Sequence, residues 1–149
     1  MRNYKSDLST DEKVMMAIVR AAERFKKKST AIFKNHGLTF SQYNVLRVLD
    51  ASENGRNNIT NIRNIMLVSG SRITGLAKRL EKKGFLIRKS DPDDERIKIL
   101  EITPKGRQAL SNIFEEKEDN MKKYLPEYTD DQKKEVLEAL KKVLKSRIV

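Results

Sequence analysis

The sequence predicts a mainly α-helical domain of six helices, with one small β-hairpin inserted after the fourth helix. Apolar residues recur at helical spacing in six segments, most of them preceded by a Ser or Thr that can cap a helix. Between residues 85 and 102 the spacing changes, and two β-prone runs flank the turn-rich segment 91–96. The chain has 149 residues, which is the size of one domain.

Short capping motifs mark where the helices begin. Segments 9–12, 39–42 and 129–132 each place a Glu or Gln three residues after a Ser or Thr, which is the pattern of a capping box. The first helix is expected to end near Gly37 and the fourth at Gly84, because glycine accepts the left-handed conformation. The predicted caps of the third, fourth and fifth helices are Thr60, Ser69 and Thr103. Residues 52–58 have the composition of a loop.

The composition argues against several classes of protein. There is no cysteine and only one histidine, His36, so a disulfide framework and a Cys/His zinc site are not expected. No nucleophile–base pattern or glycine-rich phosphate loop is found, and no cofactor is predicted. No apolar run reaches the roughly 20 residues that span a bilayer, and segment 1–11 is polar. We therefore expect a non-enzymatic cytoplasmic protein without a metal site.

The chain is strongly basic, with a formal net charge of +11. A basic balance indicates partners rather than fold, and nucleic acid is favoured over an anionic membrane surface. A lysine-rich, solvated surface is the alternative. Two zones hold most of the excess: segment 69–84 carries five basic residues against one acidic residue, and segment 11–36 carries seven against three. Only the first of these zones lies in a pattern typical of DNA recognition.

The fourth predicted helix, 69–83, separates an apolar face from a polar, cationic face. The apolar positions are Ile73, Leu76, Ala77 and Leu80. With the short helix before it, this segment forms a helix-turn-helix candidate. Arginines and small hydroxyls suit a DNA major groove, and Gly75 permits close approach. The predicted DNA-contacting positions here are Ser69, Ser71, Arg72, Thr74, Gly75, Lys78 and Arg79. An ordinary amphipathic surface helix is the alternative.

The predicted hairpin places one arginine, Arg96, among acidic residues. Segment 85–102 holds four basic and five acidic residues, so it is not a simple strip for phosphates. A nearby carboxylate such as Asp94 can brace the guanidinium, which would then enter a minor groove. A solvated turn with a weak surface ion pair is the alternative. Together with Asp94 and Arg96, the strand residues Arg88, Lys89 and Lys98 are predicted to contact DNA.

Residues 69–106 resemble the core of the MarR family (multiple antibiotic resistance regulators). The run from Ser69 to Arg88 is similar to that family's recognition helix and first wing strand, and segment 91–96 is similar to its wing. Segment 102–106 (Ile-Thr-Pro-Lys-Gly) resembles the exit from the wing. The sequence departs from the family pattern at two positions. Many relatives have a small residue near the position of Arg63 and a glycine near the position of Leu67. The arginine at position 63 would add a phosphate contact.

The resemblance implies a winged helix-turn-helix protein that forms a triangular homodimer. Helices within 1–37 and 104–149 would interlock with those of the partner, and residues 38–103 would form the DNA-binding lobe. The wide apolar faces of the outer helices agree with this division, since such faces usually meet a partner chain. Asp94 and Arg96 would carry the wing contact to DNA.

The resemblance also implies an effector, a small aromatic or phenolic acid bound where the first, second and fifth helices meet the dimer interface. Candidate contacts are Arg20, Phe25 and Tyr43, and core packing is the alternative role for the two aromatic residues. The resulting hypothesis is a transcriptional regulator, expected to be a repressor, that binds a pseudo-palindromic double-stranded DNA operator. A protein-interaction or dimerisation module and a non-specific nucleic-acid-binding protein are the alternatives.

Overall fold

A computed structural model describes residues 7–146, so the start of the polar N-terminal segment and the last three residues lie outside the described chain. Within this range six α-helices and three short strands follow one another, with one short 3-10 turn at Glu53–Gly55. In chain order they are α1 (Thr10–Lys34), α2 (Phe40–Asp50), β1 (Arg56–Asn58), α3 (Ile59–Met66), α4 (Gly70–Lys82), β2 (Leu86–Ser90), β3 (Lys98–Ile102), α5 (Pro104–Lys122) and α6 (Asp130–Lys145). The predicted fold class is confirmed, with one strand more than the sequence indicated.

The helix starts follow the capping chemistry of the sequence. The side chains of five predicted caps accept a backbone N–H from the first turn: Ser9, Thr39, Ser69, Thr103 and Thr129. Complete capping boxes form in segments 39–42 and 129–132, whereas segment 9–12 shows only the bond to the serine. The predicted cap at Thr60 is wrong. Asn58 caps α3 instead, and its Oδ1 accepts the Asn61 N–H at 2.8 Å.

The three strands form one antiparallel sheet in the order β1-β3-β2, with β3 in the centre. The prediction of a loop over residues 52–58 is wrong for its last three residues, because Arg56–Asn58 pairs with β3. Nothing in the composition of this segment suggests a strand. Its extended conformation depends on a partner more than 40 residues later in the chain, in the register Asn57 opposite Leu100.

The hydrophobic core lies between α2, α4, the sheet and the adjoining halves of α1 and α5. The largest fully buried side chains are Phe33, Val45, Leu46, Leu49, Ile62, Ile73, Leu80, Leu86, Leu100 and Ile113. Phe33 of α1 stacks on Tyr43 of α2 with ring centroids 3.9 Å apart. The predicted inward face of α4 is confirmed, since all four of its apolar residues are buried. This packing determines which side of α4 faces away from the protein.

The N-terminus of α5 is packed closely against the end of the sheet. Thr103 donates its backbone N–H to the Phe85 carbonyl at 3.1 Å and its hydroxyl to the Gly84 carbonyl at 2.6 Å. A Cβ at Gly106 would overlap that same Phe85 carbonyl oxygen and the Ile102 side chain. Glycine is therefore required at position 106 for α5 to approach the strands. The bonds of Thr103 hold the start of α5 against the segment that leads from α4 into β2.

Large apolar faces on the first half of α1 and on α6 remain uncovered in the single chain. They consist of Val14, Met15, Met16, Val19, Val136, Leu137, Leu140, Val143 and Leu144. No described residue of α6 is buried. Faces of this kind suit a partner chain, and the division into dimerisation helices and a DNA-binding lobe stays a prediction. Within residues 7–146, no helix is long and apolar enough to cross a membrane.

Candidate nucleic-acid interface

The polar face of α4 begins at a well-formed N-terminus. The Ser69 hydroxyl accepts the Arg72 N–H at 3.3 Å and lies 3.2 Å from the Ser71 hydroxyl. The exposed positions of this face include Ser71, Lys78 and Arg79. Because the opposite face is buried in the core, this side of α4 is left open to a ligand.

The cationic residues of α4 differ in how they are held. In the part of the chain that the structure describes, neither Lys78 nor Arg79 has a side-chain partner. Arg72, in contrast, donates from Nη2 to the Ser41 hydroxyl at 3.3 Å. This bond directs the guanidinium of Arg72 toward the start of α2. Thr74 is also occupied, because its hydroxyl donates to the Gly70 carbonyl at 3.0 Å.

Gly75 lies on the open side of α4 with no steric reason for glycine inside the protein. A Cβ built at this position would meet no atom within 4 Å. A glycine inside a helix costs about 1 kcal/mol relative to alanine. Packing within the chain does not explain this cost, and close approach by an external molecule would.

The hairpin tip presents a single braced arginine. Arg96 donates from Nε and Nη2 to the two carboxylate oxygens of Asp94, each at 3.0 Å, and Asp94 Oδ1 also accepts the Arg96 backbone N–H. These hydrogen bonds from Arg96 hold the pKa of the Asp94 carboxyl below its usual range. The Arg96 side chain is nevertheless 90% exposed. The guanidinium is therefore oriented by the turn but open to solvent.

The first strand cation of the hairpin is tied to the helix before it. Arg88 donates from Nε to Glu81 Oε1 at 2.9 Å, and its backbone N–H donates to Glu81 Oε2 at 3.1 Å. Glu81 is the single acidic residue of α4, and it holds β2 to that helix. The charge of Arg88 is compensated within the chain, which sequence spacing alone did not reveal.

The other two strand cations also have partners. Lys89 forms an ion pair with Glu101 of β3 at 2.9 Å. The hydrogen bond from Lys89 lowers the pKa of the Glu101 carboxyl, and the nearby charges of Arg56 and Arg107 act in the same direction. Lys98 donates to the Ser90 hydroxyl at 3.0 Å. These residues bind the strands to one another, so any contact they make with DNA adds to a structural role.

A pocket of about 590 Å³ lies between α2 and α5. Its lining consists of Tyr43, Arg47, Asp50, Arg107, Leu110, Ser111, Phe114 and Lys117. Of the three predicted effector residues, Tyr43 borders this pocket. Phe25 instead packs edge-on against Phe40 and Tyr124, and Arg20 is exposed on α1. The structure does not bring the three residues together around one cavity.

The charged residues of this lining are three cations, Arg47, Arg107 and Lys117, and one carboxylate, Asp50. Asp50 lies 3.8 Å from Arg47 and 3.7 Å from Arg107, so one carboxylate is shared by two guanidiniums. The Lys117 ammonium lies 5.0 Å from the centre of the Phe114 ring and pairs with Glu118 at 3.2 Å. Aromatic surface and surplus positive charge thus occur in one concave site, which suits an aromatic anion.

Metal-binding chemistry finds no support in the part of the chain that is described. No group of three or more His, Cys, Asp or Glu side chains there is arranged to hold an ion. The single histidine, His36, lies near the end of α1, 3.9 Å from Glu116 of α5.

Comparison with known proteins identifies the family. Residues 36–97 match the MarR family model, a range that includes α2, the helix-turn-helix and the hairpin tip. The HTH-type transcriptional regulator SarZ of Staphylococcus saprophyticus is 30% identical over 73% of this chain and 75% of its own length. The chain belongs to the MarR family. In the terms of that family, α3 and α4 form the helix-turn-helix of this regulator and β2 and β3 form its wing.

Solved structures of other MarR family regulators show the same fold over nearly the whole length of this chain. Sco3205 of Streptomyces coelicolor, a MarR family regulator solved in complex with DNA, superposes with a TM-score of 0.84. The two chains are 22% identical, and the match covers 96% of this chain and 91% of Sco3205. CouR of Rhodococcus jostii RHA1, solved with p-coumaroyl-CoA, gives a TM-score of 0.82 at 21% identity, over 96% of this chain and 99% of CouR.

Sequence reasoning missed two residues of the candidate interface. Ser41 and Glu81 hold the Arg72 and Arg88 side chains, respectively. Ser41 lies on α2, 31 positions before Arg72, so spacing could not have paired them. Glu81 was visible as the lone acid in a basic helix, and that anomaly was the one available indication of its role.

Proposed function

We propose that this MarR-family regulator binds a double-stranded DNA operator as a homodimer, and that it represses transcription by occupying that site. Helix α4 of each lobe would enter a major groove, and the wing would reach the adjacent minor groove. Sco3205, which shares the fold, was solved with DNA, and this supports the proposal. The repressive sign and the pseudo-palindromic operator are part of the proposal.

The observation that carries the proposal is that two solvent-exposed cationic groups occur in one lobe, on α4 and on the hairpin that follows it. One is the exposed face of α4 with Lys78 and Arg79, and the other is Arg96 at the wing tip. Arginine and lysine supply affinity through phosphates, and base-edge contacts supply selectivity. Ser69 at the N-cap of α4, together with Ser71 and Thr74, would contribute hydroxyl contacts to bases or phosphates. Gly75 would allow the DNA to approach the helix closely.

The remaining predicted DNA contacts take supporting roles in this proposal. Arg72, Arg88, Lys89 and Lys98 are each engaged by a partner inside the chain. A side chain held in this way loses less freedom on binding. The charges of Arg88 and Lys89 are also partly compensated by Glu81 and Glu101, whereas Arg72 and Lys98 donate to serine hydroxyls and keep their charges. We assign the largest contributions to Lys78 and Arg79, which have no partner among the described residues, and to Arg96, which is 90% exposed and is positioned by Asp94.

Footprinting on the DNA upstream of the protein's own gene tests this function. A specific regulator should protect two half-sites whose centres lie about one helical turn, roughly 34 Å, apart. Protection should persist in excess random DNA. Protection without any sequence preference would indicate non-specific nucleic-acid binding, and absence of DNA binding would indicate an interaction module. Either result would overturn the proposed function.

We propose further that a small aromatic acid binds the pocket between α2 and α5 and weakens operator binding. The pocket combines Tyr43 and Phe114 with the cations Arg47, Arg107 and Lys117. CouR was solved with p-coumaroyl-CoA, an aromatic thioester, which supports an aromatic ligand class. The ligand would act only through a difference in affinity for two arrangements of the lobes. Arg20 and Phe25 are not assigned to this site.

A matched pair of probes tests the effector site. 4-Hydroxybenzoate should raise the melting temperature of the protein and release operator DNA, whereas the neutral 4-hydroxybenzamide should do neither at the same concentration. Replacing Lys117 by Met should reduce the response to the acid while leaving operator binding in its absence unchanged. An equal response to both probes would contradict a site selected by charge.

We assign this regulator no enzymatic reaction and place it in the cytoplasm with the DNA. Its curated relatives are named as transcriptional regulators, which supports the assignment. The outer helices α1 and α6, with their open apolar faces, would supply the homodimer contact.

A further inference from the structure

Arg63 is an exposed cation on α3, the first helix of the helix-turn-helix. Its side chain extends toward the start of α4. The Cδ and Nη1 atoms lie 3.7 Å and 4.0 Å from the position that a Cβ of Gly70 would occupy. These are ordinary van der Waals distances, so the Arg63 side chain packs beside residue 70. The guanidinium therefore lies beside the end of α4 that leads into the proposed DNA contact.

The main chain of Arg63 is held by the turn between the two helices. Its carbonyl accepts the N–H of Leu67 at the end of α3 and the N–H of Val68 at 3.3 Å. Leu67 adopts a left-handed conformation, with φ at +55°, to close this turn. The position of Arg63 relative to α4 is thus determined by hydrogen bonds of the backbone.

The charge of Arg63 is not compensated inside the chain. Among the described residues, no carboxylate forms an ion pair with it, whereas Arg88 and Lys89 each have an acidic partner within 2.9 Å. An exposed arginine without a partner gains most from an external anion, because little of its attraction is already satisfied. In this respect it resembles Lys78 and Arg79 on α4.

We propose that Arg63 binds a backbone phosphate at the edge of the major groove that α4 enters. The inference rests on the DNA-binding function proposed above. A phosphate is the expected partner because the first helix of a helix-turn-helix crosses the DNA backbone, while the second reaches base edges. Arg63 supplies affinity and register for α4 and carries no sequence information of its own.

Salt titration of DNA binding tests this assignment without knowledge of the operator. The probe is a fluorescent duplex of random sequence, long enough to cover both lobes, and the readout is the slope of log affinity against log salt. Arg63→Ala should flatten the slope by about 0.9 for each lost phosphate contact, so by about 1.8 for a homodimer. Arg63→Lys should retain most of the slope, because a point charge also binds phosphate.

Lys34→Ala is the matched control, since it removes one charge per protomer from the last turn of α1, outside both the winged lobe and the apolar face assigned to the dimer. It should leave the slope unchanged, and thermal melting should show that both alanine variants fold. A steep wild-type slope that Arg63→Ala leaves unchanged would overturn the inference while the DNA-binding function stood. Equal flattening by Lys34→Ala would also overturn it, because net charge would then explain the effect.

A second readout separates a phosphate contact from a base contact. Once an operator is identified by footprinting, Arg63→Ala should weaken binding to the operator and to its single-base variants by the same factor. A change in the ranking of those variants would contradict the assignment to phosphate. If the wild-type protein shows no salt-dependent binding to any duplex, the proposed function itself fails.

Discussion

Arg96 and Asp94 form a bidentate ion pair in which the arginine remains almost fully exposed, with both hydrogen bonds at 3.0 Å. A surface ion pair of this kind contributes little to folding stability. Its effect is to restrict the guanidinium before any ligand arrives, which reduces the entropy lost on binding. The pair is therefore interpreted as preparation for contact rather than as a stabilising interaction.

Replacing Arg96 by Ala should weaken operator binding by about 1–3 kcal/mol, because a positioned arginine contact to the groove is removed. Asp94→Asn should cause a smaller loss, since the guanidinium remains but is less well oriented. Fluorescence anisotropy on the footprinted operator measures both, and sedimentation should show that the oligomeric state is unchanged. Unaltered affinity of the Arg96 variant would remove the wing from the mechanism.

The Asp94 carboxyl should titrate at a pKa below the ordinary aspartate value, because the hydrogen bonds from Arg96 favour its charged form. The ion pair is then intact at neutral pH and is lost only as the pH falls through the lowered pKa. Carboxyl carbon NMR resolves this titration. In Arg96→Ala the pKa should rise toward the ordinary value, and identical titrations in both proteins would contradict the pairing in solution.

Gly75→Ala should separate folding stability from DNA binding. The new methyl meets no atom within the chain, and alanine favours the helix, so the unfolding free energy should rise by about 0.5–1 kcal/mol. Operator affinity should fall if DNA approaches this face closely. Denaturant unfolding and anisotropy provide the two measurements. Gly106→Ala is the contrasting variant and should destabilise the fold by about 1–3 kcal/mol through overlap with the Phe85 carbonyl.

Leu67→Gly should stabilise the protein by about 0.5–1 kcal/mol, because the left-handed conformation is costly for a residue with a Cβ. The Leu67 side chain is 71% exposed, so little apolar burial is lost with it. Leu67→Ala is the control, since it shortens the side chain but keeps the strained backbone. Thermal and denaturant unfolding report the result, and a gain shared by the alanine variant would show that strain is not its cause.

Leu137→Asp should dissociate the proposed homodimer without unfolding the chain. Leu137 is exposed in the single chain, and burial of a leucine at an interface contributes about 1.5–3 kcal/mol per protomer. Sedimentation velocity should show monomers for this variant and dimers for Leu137→Met, which keeps the apolar volume. Circular dichroism checks that both stay helical. A dimer that tolerates aspartate at this position would exclude Leu137 from the interface.

Features encoded by neighbouring residues were predictable from the sequence. Helix starts at Thr39 and Thr129 depend on bonds to a residue three positions later, so the motif contains its own partner. The start of α3 was misplaced because Asn58 and Thr60 are both capable caps. Only the packing of Ile59 against the core and the pairing of Asn58 in β1 decide between them.

Features that depend on distant residues were not predictable. Strand β1 lacks an apolar alternation, and its conformation comes from pairing with β3. In the candidate interface, the residue types were identified but not the directions of their side chains. Arg72 is directed by Ser41 and Arg88 by Glu81, and these partners meet only after the helices have packed.

Strand β1 has a mechanical consequence for the regulator. Asn58 is both the last residue of β1 and the cap of α3, so the helix-turn-helix begins where the sheet of the wing ends. The N-terminus of α5 packs on the opposite end of the same sheet. The sheet is therefore held at two points, and this fixes the orientation of the hairpin relative to α4. A bound effector would then have to change the distance between the two lobes of the dimer, because the geometry within each lobe is fixed.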